Sequence, residues 1–573
     1  VPDKSVIVIG GGVCGLVAAH TLACAGTRVT LVEASDRVGG QVRSAALSDA
    51  PATSGNATGS AEGEQTAGEA AVPEPDVIEL GTGRRLPVEP TDPRSAGLRP
   101  PVVELGAEAV PLRAPGVTAL IEELGLARSM THPRSGRSLL SSRRGAVPMP
   151  DGVTPTGPTR LLPTVRSQIL SPRGLLRAAA EPLTGRRHVA GDISVGEFIE
   201  SRFGPQVARA VVDPLLGAIH AADIHRFSLA AAAPALVESA AEGNSLLLDT
   251  LARQARRTAG RVRGMPVRGY RRMSQIMGLM EDDPERPASL PPLASWPGGT
   301  ETLPNRLAAS VRTHGRVLLG TRATSLAPPT VDHETGTTTW RVGIEGDGAD
   351  RDGLDGDAAR ELSADAVILA TGSAASAALL ADVSPEATAI LSELRAVSVA
   401  TVILDLPATG SPVDHPIARA ASWFVGSAWS PLIRQVTNLS LKWPRTLGQE
   451  RLVLRVGAGR DGGRPVDGMD DDELVSAVVD ELGRLGLPVA QMNPRTLVGR
   501  FPHAMPQPAP GHRDRMEYLA AAVSEVPGLA LGGCASDGAG VGTAIVAGRR
   551  LARQISAFLS RDTRDRDERG GIL

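Results

Sequence analysis

The sequence predicts an α/β protein built on a parallel sheet, and three features near its start carry that expectation. Val6, Ile7, Val8 and Ile9 form a short β-branched run, the pattern of a strand buried on both faces. Gly10, Gly12 and Gly15 follow at G-x-G-x-x-G spacing and open an apolar helical segment. A second strand, Arg28 to Val32, then ends in Glu33, where an acid can accept hydrogen bonds from a ribose.

Each residue in this unit has a physical reason to be there. Gly10 permits the tight turn, Gly12 lets the backbone approach a pyrophosphate, and Gly15 lets the helix pack closely on the strand. The unpaired N–H groups of the helix N-terminus and the positive end of its dipole favour the phosphate. A lone glycine motif would read equally well as a bland turn, but strand, glycines, helix, strand and terminal acid together describe a Rossmann-type site.

The next residues extend the pattern. Ala34, Arg37, Gly39 and Gly40 fall in E-A-S-D-R-x-G-G, which resembles the extended signature of the flavin amine oxidase superfamily. That resemblance implies FAD rather than NAD, with the arginine and the glycine pair continuing the pyrophosphate and flavin contacts. It marks Gly10, Gly12, Cys14, Gly15, Glu33, Ala34, Arg37, Gly39 and Gly40 as cofactor-binding residues.

Composition narrows the class. At 573 residues the chain exceeds what one core usually serves, so at least two domains are expected. A formal net charge of −3 and a pI of about 6.4 argue against nucleic-acid binding through bulk charge. Lys4 and Lys442 are the only lysines, so arginine supplies nearly all positive charge, and guanidinium forks would hold any anionic substrate. Cys14, Cys24 and Cys534 show neither disulfide nor zinc spacing, and no metal is expected. No apolar stretch reaches about 18 residues. The expectation is a soluble cytoplasmic protein, with peripheral membrane contact through a helical face left open and the oligomeric state unread.

Farther along, residues from about Ala46 to Arg99 turn to Ala, Gly, Ser, Thr, Glu and Pro without periodicity and read as an unstructured insertion. A second, Asp/Gly-rich insertion falls near Glu345 to Asp357. Gly116 to Leu126 reads as an amphipathic helix. Ser194 to Glu197 has capping-box spacing. Arg316 to Leu326 and Ala366 to Thr371 read as strands, and the runs from Val397 to Leu406 and Arg451 to Val456 suggest a second sheet.

Several blocks then resemble one branch of that superfamily, the protoporphyrinogen oxidases and their coproporphyrinogen-oxidising relatives. They are Glu104-Leu105-Gly106, Val147 to Gly152, the long segment holding Pro214-Leu215-Leu216-Gly217 and Ala222-Asp223, and Met505-Pro506-Gln507 with Gly511-His512. The closing segment Gly528 to Gly542, with Gly533, Asp537, Gly540, Val541 and Gly542, resembles the family's last flavin motif. His220 stands where relatives often carry tyrosine.

The resemblance implies further FAD contacts from Gly106, Ala323, Thr371, Gly533, Asp537, Gly540, Val541 and Gly542. It implies an α/β protein, α+β overall: a Rossmann-type FAD-binding domain (1–110, 297–385, 516–560), a mixed-sheet substrate domain (226–296, 386–515), a helical insertion (111–225) and a tail (561–573). Cys534, among small residues after a strand, reads as a packed thiol rather than a covalent flavin anchor, so FAD is expected to be non-covalent.

Arg43 and Arg113 follow flavin-contacting segments; each either pairs with a substrate propionate or is a solvated arginine. His220 and His512 either donate to a substrate carboxylate or are satisfied structural histidines. The activity implied is oxidation of coproporphyrinogen III to coproporphyrin III, with oxygen as acceptor and hydrogen peroxide as product. Protoporphyrinogen IX is the alternative substrate. An amine oxidase or desaturase on the same scaffold would favour an aromatic tunnel, yet the chain has 2 Tyr, 6 Phe and 5 Trp. A porphyrin carrier with a merely structural flavin is the non-enzymatic rival. No H-E-x-x-H, G-x-S-x-G or Walker A lysine is present.

Overall fold

The strand–glycine–helix unit forms as its residues dictate. β1 (Ser5–Ile9), α1 (Val13–Cys24) and β2 (Arg28–Val32) follow one another, with β1 and β2 parallel. The computed structural model describes residues 4–47, 101–154, 157–158, 167, 169–184, 191–241, 245–246, 292–332, 337–346, 360–406, 415–447 and 451–570. Most of both expected insertions lies outside the described residues.

β1 sits centrally in a five-stranded parallel sheet ordered Arg316–Leu318, β2, β1, Ala366–Leu369, Leu529–Leu531. Strands far apart in sequence thus end along one edge, where open parallel sheets bind ligands. A three-stranded antiparallel meander, Arg322–Val331, Thr338–Glu345 and Arg360–Ala364, stands beside it. The single strand expected over Arg316 to Leu326 is therefore two strands in two sheets. Gly320, at φ +58°, turns the chain between them, and its N–H donates to the Ser35 carbonyl at 2.7 Å.

The second sheet is mixed and seven-stranded: Arg495–Pro506, Ala396–Leu406, Leu452–Ala458, Ile433–Asn438, Ser422–Phe424, Ser138–Ser142 and Gly145–Pro148. Its pairings are antiparallel except between Ser422–Phe424 and Ser138–Ser142. The region 111–225 is accordingly not all helical, because its first strands complete this sheet through Leu139 and Leu140, which are buried in it. The helices lie farther on, from Pro172–Ala179 to Asp213–His220, around Phe198, Phe203, Val211 and Leu216. Ser194 caps its helix by accepting from the Glu197 N–H at 3.1 Å. The helix expected over Gly116 to Leu126 is shorter, Val117–Glu123, and the tail from 561 continues the last helix, Val541–Gly570.

That last helix packs across α1 at Gly548, where an added Cβ would lie 2.5 Å from the Cys14 carbonyl oxygen and 2.8 Å from Val17 Cβ. Both elements contribute to one core, with Leu16, Val17, Ile545 and Leu551 fully buried. Gly548→Val should therefore force the helices apart and cost about 1–3 kcal/mol. The check is the urea denaturation midpoint of the FAD-loaded protein; an unchanged midpoint would mean the crossing tolerates a side chain.

Candidate active site

The edge of the parallel sheet forms a cradle that fits a dinucleotide. Gly10, at φ +110°, turns the chain out of β1, and a Cβ there would lie 2.6 Å from the Ala370 carbonyl oxygen. A Cβ on Gly15 would collide with the Gly10 carbonyl, so both positions need glycine. Gly12 is the α1 N-cap and has no side-chain cap, while the direction its Cβ would take meets nothing within 4 Å. The first N–H groups of α1 thus face open space of the kind a pyrophosphate fills.

Glu33 borders this space. Its carboxylate accepts from the Gly11 N–H at 2.6 Å and from the Ser35 N–H at 2.9 Å. The Thr321 N–H reaches the Glu33 carbonyl at 2.9 Å, which brings the 320–323 turn, with half-buried Ala323, beside the acid. Ala34 is exposed on the same rim. The Gly39 N–H donates to the Gly11 carbonyl at 2.8 Å, so the second glycine pair closes over the first loop. Arg37 secures that arrangement by donating to Val38, Gly40 and Val42 carbonyls. Its guanidinium also reaches Glu301 at 3.4 Å, so it braces the loop that shapes the cradle.

The other expected contacts converge from later strands. Thr371 Cγ2 would meet a Cβ on Gly10 at 3.2 Å, and the Thr371 carbonyl would meet one on Gly533 at 3.6 Å. The Asp537 carboxylate accepts from the Gly533 N–H at 2.9 Å and from Arg550 at 3.1 Å, fixing the turn before Gly540, Val541 and Gly542. Gly106 lies against the Gln41 carbonyl, and its N–H donates to the Arg43 carbonyl at 3.0 Å. Cys14 is buried in α1; burial, reinforced by Asp537, pushes its thiol up to about 12, so it packs as an apolar group. Cys534 is likewise pushed up by burial and Asp537, which disfavours the thiolate a covalent anchor would use.

The expected substrate residues stand on separate borders. Arg43 is half-buried on the loop after Gly40. Arg113 lies between Pro111 and Ala114, which pack on Gly542 at the start of the last helix. His220 ends the Asp213–His220 helix against Phe227, with ring centroids 5.0 Å apart. Burial pushes its pKa down to about 4, so at neutral pH it offers an N–H but no charge. His512 is also held below its ordinary value by burial.

The seven-stranded sheet meets the cradle through direct contacts. Gln41 Nε2 donates to the Ala504 carbonyl at 2.8 Å. Arg455 reaches from the sheet to the Glu104 and Gly106 carbonyls at 2.9 and 2.6 Å. Glu108 pairs with Lys442 at 2.6 Å; burial opposes its charge, but Lys442 and Arg455 hold its carboxyl below the usual range. Gln507 Nε2 ties the Met505 and His220 carbonyls together at 3.1 and 2.9 Å. Among the described residues three non-glycine residues have positive φ, and two of them, Ala221 and His503, adjoin Ala504. Gln41 and Arg455, which make these contacts, carry no motif in the sequence. The available signal was arginine inside apolar strands, as in PLIRQVT and LVLRVGAGR.

Comparison with known proteins bears on this geometry. A family model described as flavin containing amine oxidoreductase matches residues 93–556, and one for an NAD(P)-binding Rossmann-like domain matches residues 8–60. The chain belongs to the flavin-containing amine oxidoreductase family. As a member it is an FAD-dependent oxidoreductase. A coproporphyrinogen III oxidase from Propionibacterium freudenreichii subsp. freudenreichii is 28% identical over 97% of this chain and 92% of its own. The coproporphyrinogen III oxidase of Bacillus subtilis (strain 168) is 23% identical over 97% of this chain and 98% of its own. A solved structure from Exiguobacterium sp. 255-15, assigned as a protoporphyrinogen oxidase, shares the fold with a TM-score of 0.68, 21% identity and coverage of 96% and 98%. No helix among the described residues is long and apolar enough to cross a membrane.

Two outcomes follow from this site. Glu33→Ala should weaken FAD binding at least tenfold, because each charge-assisted hydrogen bond from the ribose contributes about 1.5–3 kcal/mol. Equilibrium titration of the apoprotein with FAD reads it, and an unchanged Kd would remove Glu33 from the cofactor site. The second concerns His220, whose folded pKa lies near 4 against 6.5 in the unfolded chain. Between those values the unfolded chain binds more protons, so the stability His220 contributes is whole above 6.5 and is lost as pH falls towards 4. His220→Gln should flatten the acid-side fall of the denaturation midpoint; an identical pH profile would show the imidazole to be solvated.

Proposed function

We propose that this protein is an FAD-dependent, oxygen-using coproporphyrinogen III oxidase of haem biosynthesis, acting in the cytoplasm. The observation that carries this reading is the likeness, along 97% of the chain, to relatives named coproporphyrinogen III oxidase. Porphyrinogen oxidation removes six hydrogens as three hydride–proton pairs; three oxygen molecules take them up as three hydrogen peroxides. FAD, when bound, supplies the hydride acceptor.

The chain's own residues have the remaining work. Gly10, Gly12, Gly15, Glu33, Gly39 and the Gly533–Gly542 turn would hold FAD along the sheet edge. The substrate sheet, tied to the cradle by Gln41 and Arg455, would hold the macrocycle against it and exclude water. A pyrrole proton leaves readily once hydride is lost, so no strong base is required. Three cysteines without disulfide partners suit a reducing compartment. Arg43 and Arg113 remain candidates for propionate contacts.

Protoporphyrinogen IX is the second reading, favoured by a Bos taurus protoporphyrinogen oxidase 26% identical over 96% of the chain. Parallel turnover of the two porphyrinogens under matched detergent separates them: a kcat/KM for coproporphyrinogen III above that for protoporphyrinogen IX is expected, and the reverse order overturns the choice. Anaerobic mixing with porphyrinogen should bleach the flavin, whereas a carrier would stay yellow. With Cys534 packed as a thiol, acid denaturation should release all FAD; flavin left on the polypeptide would show a covalent link.

A further inference from the structure

Most arginines in and around the substrate sheet are matched with acids, and Arg434 is not. Arg451 and Arg495 share Asp405, Arg395 pairs with Asp461 at 2.7 Å, and Arg202 lies 3.7 Å from Glu181. Arg455 has Glu108 at 4.0 Å; Arg460 has no acid within ion-pair distance among the described residues, but Asp213 and Glu481 act on its charge and its Nη2 donates to the Val425 and Ile433 carbonyls. Arg434, 9% exposed, has no acid within ion-pair distance among the described residues, and its charged neighbours are Arg455 and Arg460. Burial and those two cations lower its pKa to about 9, so it still carries its charge at neutral pH.

An unpaired interior cation is costly and needs a reason. Nη1 donates to the Ala218 carbonyl at 2.9 Å, near the C-terminus of the Asp213–His220 helix, which offsets part of the charge. Nε is buried and has no partner. The guanidinium lies over Gly457, where an added Cβ would sit 3.2 Å from Cζ, so the strand leaves out a side chain to admit it.

It lies on the face of the sheet that meets the cradle. Arg455 and Gly457 are two residues apart on one strand and share a face, and from that face Arg455 reaches the Glu104 and Gly106 carbonyls of the cradle. Ala221, one turn beyond Ala218, packs with Val399 and Ala504, and Ala504 is the residue that Gln41 holds from the cradle side.

We propose that Arg434 is a substrate-binding residue whose free guanidinium edge receives one carboxylate of the substrate, a propionate of the porphyrinogen. The ligand named here rests on the function proposed above; the demand for an anion rests on the missing counter-ion alone. A carboxylate at Nε would complete the fork geometry that guanidinium offers, with a positive field from Arg455 and Arg460 already in place.

Coproporphyrin III and its tetramethyl ester are the probes, because they share the ring and differ in carboxylate charge. Binding to the FAD-loaded protein is followed by the porphyrin absorption band. Arg434→Met should weaken coproporphyrin III about 10- to 100-fold and leave the ester unchanged, with a melting temperature no lower than wild type. Arg434→Lys, which keeps a cation but loses the fork, should fall between and serves if the methionine variant does not fold. Equal affinity of variant and wild type for coproporphyrin III overturns the assignment, as does equal loss of acid and ester, which would mark a packing role. Wild-type protein that binds neither probe and oxidises neither porphyrinogen overturns the porphyrinogen reading, and the ligand assigned here with it.

Discussion

The close approach of α1 to the end of β1, possible because position 15 carries no side chain, fixes where everything else must go. A Cβ there would strike the Gly10 carbonyl, tilting the helix and moving its N-terminus off the sheet edge. With the helix held, its N-terminus stays at the sheet edge, and Glu33, Thr371 and Gly533 arrive at the same rim. The last helix locks the arrangement from behind, crossing α1 at Gly548 with backbone nearly in contact. Two glycines more than five hundred residues apart thus serve one helix. The cofactor site is a consequence of packing before it is a set of polar contacts.

Charge organises the second half. Ties join the cradle to the substrate domain, among them Gln41 to Ala504, Arg455 to the 104–106 carbonyls, and Glu108 to Lys442 and Trp443. In the interior such groups act through a low dielectric, so leaving one unmatched is expensive and matching it is directional. The substrate sheet matches most of its arginines. One of the two lysines in the chain is used as such a tie, and the other, Lys4, pairs with Asp365 beside β1. A chain so rich in arginine places both of its lysines in ion pairs at element junctions.

Much of the cofactor half was legible because its signals are local. Strand β-branching, glycine spacing, helix and acid lie within one continuous stretch, and β2 has the bounds its residues suggest. Arg316 to Leu326 reads as one strand because it is a continuous run rich in β-branched and apolar residues; the break depends on Gly320 adopting positive φ beside Ser35, a tertiary contact. The hairpin at 138–148 is held in the second sheet by Ser422–Phe424, far away in sequence, so its place in that sheet is a tertiary outcome. Arg37 donates to carbonyls of its own loop and to Glu301, and no spacing rule contains those directions.

The sequence by itself determined the class of cofactor, because a dinucleotide cradle needs small residues at fixed offsets and those offsets are written in the chain. It also determined the family resemblance, through short blocks at both ends. Only the tertiary structure decided which arginine is left without an acid. Arg434 and Arg455 look alike in sequence, each set among apolar strand residues, and neither composition nor spacing tells them apart. The difference arises when Glu108 folds against one and only a helix carbonyl meets the other, since counter-ions in a folded protein are assigned by proximity in space, not along the chain.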